Sequence, residues 1–240
     1  MAKYLLVFLS FPFIAFAEVL TWSCGETCEA TLDDGGTFRV SGSGDMNNYR
    51  TLSVDSQPVP WKDYLEQIKN VVVEDGITRL GHYVFAYCPN LVTASLPNSL
   101  QSMGTGAFAW SGLQNIILPN SLKKIEAGAF RATELTDIVL PESVTYLGPH
   151  AFQDTNLESI TISDSIIPYD EFLFTGNSQL KKIYCNGNLQ KCKENMAAAL
   201  AHMDLTDKVK WGYPIKRIYT VEEAEKVSKK TGNTFRLRYK

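Results

Sequence analysis

The sequence predicts a solenoid, in which short parallel strands stack coil upon coil and a helix closes the far end. Three observations carry that expectation. Leu96, Leu118, Leu140 and Ile162 recur every 22 residues, and Phe85, Phe108, Phe130 and Phe152 keep the same beat with steps of 23, 22 and 22. Within each period the apolar residues alternate, as in LQNIILP and LTDIVLP, so Ile116 and Leu118, Ile138 and Leu140, and Ile160 and Ile162 share the inward side of a strand. The 240 residues are 45 % hydrophobic and 20 % charged, which is enough apolar mass for a core and too much for a disordered chain.

Taken in order, residues 1–17 read as a cleaved signal peptide. Lys3 supplies the positive start, Tyr4 to Ile14 an apolar stretch, and Ala15 and Ala17 the small residues before a cut at Glu18. A lipid-anchor site at Cys24 is disfavoured by Thr21 and Trp22, where small and aliphatic residues belong. Residues 18–70 form a separate amino-terminal cap in which Asp33-Asp34-Gly35-Gly36 reads as a turn and GSGD at 42–45 as a hairpin loop. Glu74-Asp75-Gly76 is a turn of the same kind.

The repeats occupy 71–185. Pro97, Pro119 and Pro141 follow the strands and, lacking an N–H, end the ladder there. The second half of each period, such as LKKIEAGAF, brings Leu122, Ile125 and Phe130 into the core. Gly106-Ala107, Gly128-Ala129 and Ala151 let the backbone bend closely over each ring. In 163–180 Ser163 replaces the proline, and Phe172 and Phe174 both offer themselves as anchor. Leu189 to Met203 reads as a helix with Cys192, Met196, Leu200 and Met203 on one face, forming a cap over 186–210. Residues 211–240 read as a basic strand, helix, strand unit, with its helix from Thr220 to Lys230.

Five cysteines in a secreted chain permit disulfides. Cys24 and Cys28 are four apart and Cys185 and Cys192 seven apart, so each pair can close a local loop and leave Cys88 free. No Cys-x-x-Cys occurs and His82, His150 and His202 stand 68 and 52 residues apart, so no metal site and no cofactor are expected. No G-x-S-x-G, Gly-rich phosphate loop or H-E-x-x-H is present, so no catalytic residue is assigned. His82 and His150 are placed as variable turn residues where other coils carry Thr105 and Ala127. Residues 18–185 hold 10 Lys/Arg against 20 Asp/Glu and residues 186–240 hold 12 against 6, so an acidic body with a basic end argues against nucleic acid as partner.

The recurring string A-F-x4-L-x-x-I-x-L-P-x-S resembles the BspA-like leucine-rich repeat family, also called the Treponema pallidum type. The preceding segment, WSCGETCEATLDDGGTFRVSGSGDMNNY, is similar to the disulfide-tied region that often precedes such repeats. The resemblance implies a β-rich α/β solenoid: a right-handed leucine-rich repeat coil of short parallel strands between a disulfide-tied β cap and a helical carboxy-terminal cap. It also implies a secreted, periplasmic or cell-surface protein that binds other proteins, attaches in some members to host or neighbouring cells, and carries no catalytic residues.

Side chains pointing outward from the strands are the binding candidates: Thr93 and Ser95, Asn115 and Ile117, Asp137 and Val139, Ser159 and Thr161, Lys182 and Tyr184. Rungs about 4.8 Å apart would line them into a flat strip. The expected partner is an extracellular or surface protein, or a glycan; the alternative is an envelope component whose repeats only extend and pack. Trp110 is a second candidate contact, expected to tuck beneath a loop.

Overall fold

The computed structural model describes residues 19–50 and 57–213; the segment read as a signal peptide and nearly all of residues 211–240, read as a strand, helix, strand unit, lie outside them. Three antiparallel strands open the chain, β1 (Leu20–Ser23), β2 (Thr27–Leu32) and β3 (Thr37–Asp45), followed by a 3-10 helix at Lys62–Gln67. Parallel strands follow: β4 (Asn70–Val73), β5 (Ile77–Leu80), β6 (Thr93–Ser95), β7 (Ser102–Met103), β8 (Asn115–Ile116), β9 (Lys124–Ile125), β10 (Asp137–Val139), β11 (Tyr146–Leu147), β12 (Ser159–Ser163) and β13 (Lys182–Asn186). Helix α1 (Leu189–His202) and β14 (Lys210–Gly212) complete the described chain.

Each coil contributes two strands where the sequence pattern suggested one. The first ladder runs β3-β4-β6-β8 and resumes as β10-β12-β13-β14; the second runs β3-β5-β7-β9-β11. The second strand escaped notice because it is two residues long in most coils, too short to show alternation. A third line of backbone bonds holds the turns together: Phe85, Phe108 and Phe130 donate their N–H groups to Ala107, Ala129 and Ala151 of the next coil at 2.9, 2.9 and 3.0 Å.

GSGD at 42–45 is strand and not hairpin loop. β3 pairs with β4 through Thr37–Val40 and, across a register shift at Gly44/Asp45, with β5, so this one strand starts both ladders. Gly42 takes φ +108° with the Thr27 carbonyl oxygen 2.0 Å from where a Cβ would stand, so only glycine fits the fork. The acidic turns are as read: Asp33 Oδ1 accepts from Thr37 N–H at 2.8 Å, and Gly76 turns at φ +106° between β4 and β5.

Packing follows the 22-residue beat. The rings of Phe85, Phe108, Phe130 and Phe152 are fully buried and stack in a column, with centroids 5.3, 5.9 and 5.5 Å apart. Phe174 continues the series as the buried anchor of the last coil, and Phe172 stands 37 % exposed. Of the predicted inward strand residues only Ile116 is half-buried; the others are buried. β10 ends at Val139, just before Leu140-Pro141, whereas β12 runs on through Ser163 and pairs there with Asn186. Serine in place of proline restores the N–H, and the ladder lengthens.

Two polar positions per coil complete the backbone accounting. Ser99, Ser121 and Ser143, two residues after each proline, donate their hydroxyls to the Ile77, Leu100 and Leu122 carbonyls of the preceding coil at 2.8, 2.6 and 2.6 Å. Ser111, Thr133 and Thr155, three residues after each phenylalanine, are buried and donate to its carbonyl at 2.6, 2.9 and 3.1 Å. These bonds satisfy carbonyls inside the coil, and the Phe152 carbonyl accepts from Asn177 as well. Residue types alone hid these roles, since serine and threonine look the same facing water.

Disulfides join Cys24 to Cys28 and Cys185 to Cys192, the first inside the β cap and the second between β13 and α1. Asn188 caps α1 by accepting from Lys191 N–H at 3.0 Å, and Cys192, Met196, Ala199 and Leu200 bury against the last coil. β14 adds a further parallel strand to β13, so the first ladder continues past the helix. Cys88 is free and buried, and burial pushes its thiol up to about 12, far from any reactive thiolate.

Candidate functional site

The outward candidates do lie in two columns on the first ladder. Asn70, Thr93 and Asn115 are in register, as are Asp137, Ser159, Lys182 and Lys210; the second column sets Val72 beside Ser95, and Val139, Thr161, Tyr184 and Gly212 in one row. Between β8 and β10 the strand pairing lapses on this face, while the second ladder and the turn bonds run through, so the strip has two halves.

Ser95, Asn115, Asp137 and Lys182 are exposed, and Ile117 is an exposed apolar side chain between them. Thr93, Val139, Ser159 and Tyr184 are half-buried. Thr161 is buried, because Val139 and Tyr184 flank its short side chain in register. Thr93 Oγ1 donates to Asn70 Oδ1 at 2.8 Å and the Ser159 hydroxyl to Asp137 Oδ1, so neighbouring rungs hold one another in place. The first column thus passes from neutral amides and hydroxyls through Asp137 to Lys182 and Lys210. Such a surface can hydrogen-bond and pair charges.

The structure gathers two clusters that the sequence did not reveal. On the second ladder Glu126, its side chain only 16 % exposed, meets Arg79 at 3.6 Å, His82 Nε2 at 3.1 Å and Lys124 at 3.2 Å, and accepts from the Thr105 N–H and hydroxyl at 3.2 Å. Burial pushes the Glu126 carboxyl up, but the Lys124 hydrogen bond and the charges of Lys124, Arg79 and His82 outweigh it and hold the group below its ordinary range. This hub ties three coils together.

On the turn side Trp110 is exposed and not tucked under a loop: its ring stacks on Tyr87 at 4.9 Å and the Arg131 guanidinium lies over it at 5.5 Å. Tyr87, Trp110, Ala132 and Asp154 share a left-handed backbone two residues after each phenylalanine, which turns their side chains to the surface. His82 does occupy the Thr105 position, but His150 stands one residue later, with Gly106 and Gly128, at φ +57°. The Pro149 that precedes it fills the Thr105 place.

Among the described residues no group of three His, Cys, Asp or Glu is placed to hold a metal ion, and no helix is long and apolar enough to cross a membrane. A shallow depression of about 490 Å³ against the amino-terminal hairpin is lined by Ser23, Glu26, Thr27 and Glu29, with no histidine among its lining residues.

The family model for the BspA type leucine-rich repeat region matches residues 63–168 and 102–210, in six copies, over coils whose geometry is that just described. The chain belongs to this family. A leucine-rich repeat protein from Eubacterium ventriosum of solved structure is 27 % identical at a TM-score of 0.65, over 70 % of this chain and 44 % of that one. The pneumococcal vaccine antigen PcpA is 26 % identical at a TM-score of 0.52, over 69 % and 40 %. This chain therefore spans less than half the length of either protein. No curated protein matches it. Membership is consistent with a protein-interaction scaffold, and between the coils of this chain the outward positions Thr93, Asn115, Asp137 and Ser159 vary while the phenylalanine column does not.

Proposed function

We propose that this chain is a secreted or surface-exposed binding module that takes a protein partner on the outer face of its first strand ladder, in the manner of an adhesin. The observation that carries the reading is the exposed row of Ser95, Asn115, Ile117, Asp137 and Lys182, polar side chains around one bare isoleucine on a rigid coil. A rigid platform loses little entropy on binding, and an apolar centre with a polar rim is the usual make-up of a protein contact. Two disulfides support an oxidising, extracellular setting, as does the sequence of residues 1–17.

The experiment is capture of extracellular and surface proteins on the immobilised chain, compared with the double variant Asn115→Arg/Asp137→Arg. Two cations in the middle of the face would meet the partner unpaired, so capture is lost while thermal unfolding shifts only slightly, since both positions face solvent and the variant gives up only the exposed bonds of Asp137 to Thr136 and Ser159. Capture that survives the double variant removes the strand face from the proposal. A chain that captures nothing is the envelope component of the alternative reading.

A further inference from the structure

The outer face of the second ladder changes character along the stack. By register it presents Asp45, Arg79, Ser102 and Lys124, and then Tyr146; Leu147 pairs with Pro168, which sets Ile167 beside Tyr146. Ile167 is 68 % exposed, Tyr169 69 % and Phe172 37 %, so the last coil carries the two large apolar side chains most open to water among the described residues. Soluble proteins seldom leave such residues contiguous and uncovered. Beyond them the coil is flanked by α1, whose Asn195 amide donates to the Asp164 and Ile166 carbonyls at 3.0 and 2.9 Å and whose His202 meets the Phe172 ring at 4.7 Å.

We propose that residues 214–240 of this same chain cover that patch, packing their apolar side chains on Ile167, Tyr169 and Phe172. The chain leaves the first ladder at Tyr213, two strands past the patch, which is about 10 Å along the stack at the spacing of paired strands. The 27 residues that follow reach far beyond that distance. The sequence offers an apolar stripe: Val221, Ala224 and Val227 follow at steps of three within the helix read from Thr220 to Lys230. Charge fits as well. Residues 214–240 carry eight Lys/Arg against three Glu, and the patch is bordered by Asp164, Asp170 and the exposed Glu171. Asp170 lies 3.9 Å from His150 and Lys124 sits over the Tyr146 ring, and among the described residues no ion pair involves Glu171. The surface is distinct from the strand face, which lies on the other ladder, and the two proposals stand or fall separately.

Hydrogen exchange of the full chain tests this. Amides of 218–230 exchange about tenfold or more slower than in an unstructured peptide. In the double variant Ile167→Asp/Tyr169→Asp, and more weakly in Glu171→Lys, that protection is lost while β12 and β13 stay protected, which shows that the coil still folds. Exchange of 218–230 at the unstructured rate in the parent overturns the proposal, as does protection that the double variant leaves intact. Protection that disappears on dilution assigns the patch to a second copy and overturns it too.

Discussion

The middle coils and the last coil are built from the same repeat, yet they differ in what their turns have for neighbours. Around Phe130 the rings of Phe108 and Phe152 lie on either side at 5.9 and 5.5 Å, nearly parallel, and the second ladder and the turn bonds run through. Around Phe174 the second ladder has shrunk to one bridge, Leu147 to Pro168, and the next layer is α1 with its disulfide to β13. A coil in the middle is stabilised by its sequence and two copies of itself. The end coil has one copy, so it needs side chains that the repeat does not supply.

That difference is tested most strongly by emptying the two anchor sites. Phe130→Ala removes a fully buried ring with a coil on each side to hold the cavity open, and is expected to cost ~4–5 kcal/mol in urea unfolding. Phe174→Ala faces one coil and a helix that can settle inward, and is expected at the lower end, ~3 kcal/mol. Equal losses would mean that α1 is as unyielding as a coil.

The polar position after the anchor sharpens the contrast in the opposite sense. In the middle, Thr133 makes one bond to the Phe130 carbonyl. In the last coil Asn177 replaces it, donating to the Phe152 and Phe174 carbonyls at 2.6 and 3.0 Å and accepting from Leu157 N–H at 3.1 Å and from Thr155. Asn177→Leu leaves several buried backbone groups unpaired and is expected to cost ~2–3 kcal/mol, against ~1 kcal/mol for Thr133→Val. Thermal unfolding of the two variants ranks them.

How much of this could be read from the sequence follows from the same contrast. The 22-residue beat located the Phe column, the strand ends at Pro97, Pro119 and Pro141, and the helix from Leu189, because each of these repeats or has its own period. The anchor of the last coil stayed open between Phe172 and Phe174, since both are apolar and only the neighbour decides which is buried. The second ladder and the hydroxyl caps were invisible for a different reason: a strand of two residues has no period, Ser121 reveals its partner only when the preceding coil is in place, and Thr133 only when its own turn has closed on the Phe130 carbonyl. On the strand face the outward direction was legible, but the burial of Thr161 was not, because it depends on Val139 and Tyr184 from other coils.

Ionic contacts between coils are expected to matter less than these buried groups, and Glu126 is the one to test. Its carboxyl is held low in the folded chain, so its contribution is present above the ordinary carboxylate range of about 4.3 and is lost as pH falls through the native value. Glu126→Gln is expected to cost ~1–2 kcal/mol at pH 7, less on a pair of surface charges than on a hub. Unfolding midpoints of parent and variant then converge below about pH 4. A difference that persists undiminished into acid would show that Glu126 acts through its hydrogen bonds to Thr105 alone.

The smallest effect expected concerns the bend before each ring. Two residues ahead of the anchor, Gly106 and Gly128 take φ +60° and +58°, and the same place in another coil is filled by His150 at +57°. An L residue can therefore adopt the bend at a cost of about 1 kcal/mol. A Cβ on Gly128 would meet nothing nearer than Arg131 Cβ at 3.6 Å, so Gly128→Ala should cost that strain and no more. A Cβ on Gly106 would stand 2.4 Å from the Tyr83 ring of the preceding coil, so Gly106→Ala must also displace that ring. Unfolding of the two alanine variants should differ, with a changed Tyr83 environment in the aromatic spectrum of Gly106→Ala only. Equal costs would place the whole penalty in the backbone and leave the coil-to-coil fit at Tyr83 without weight.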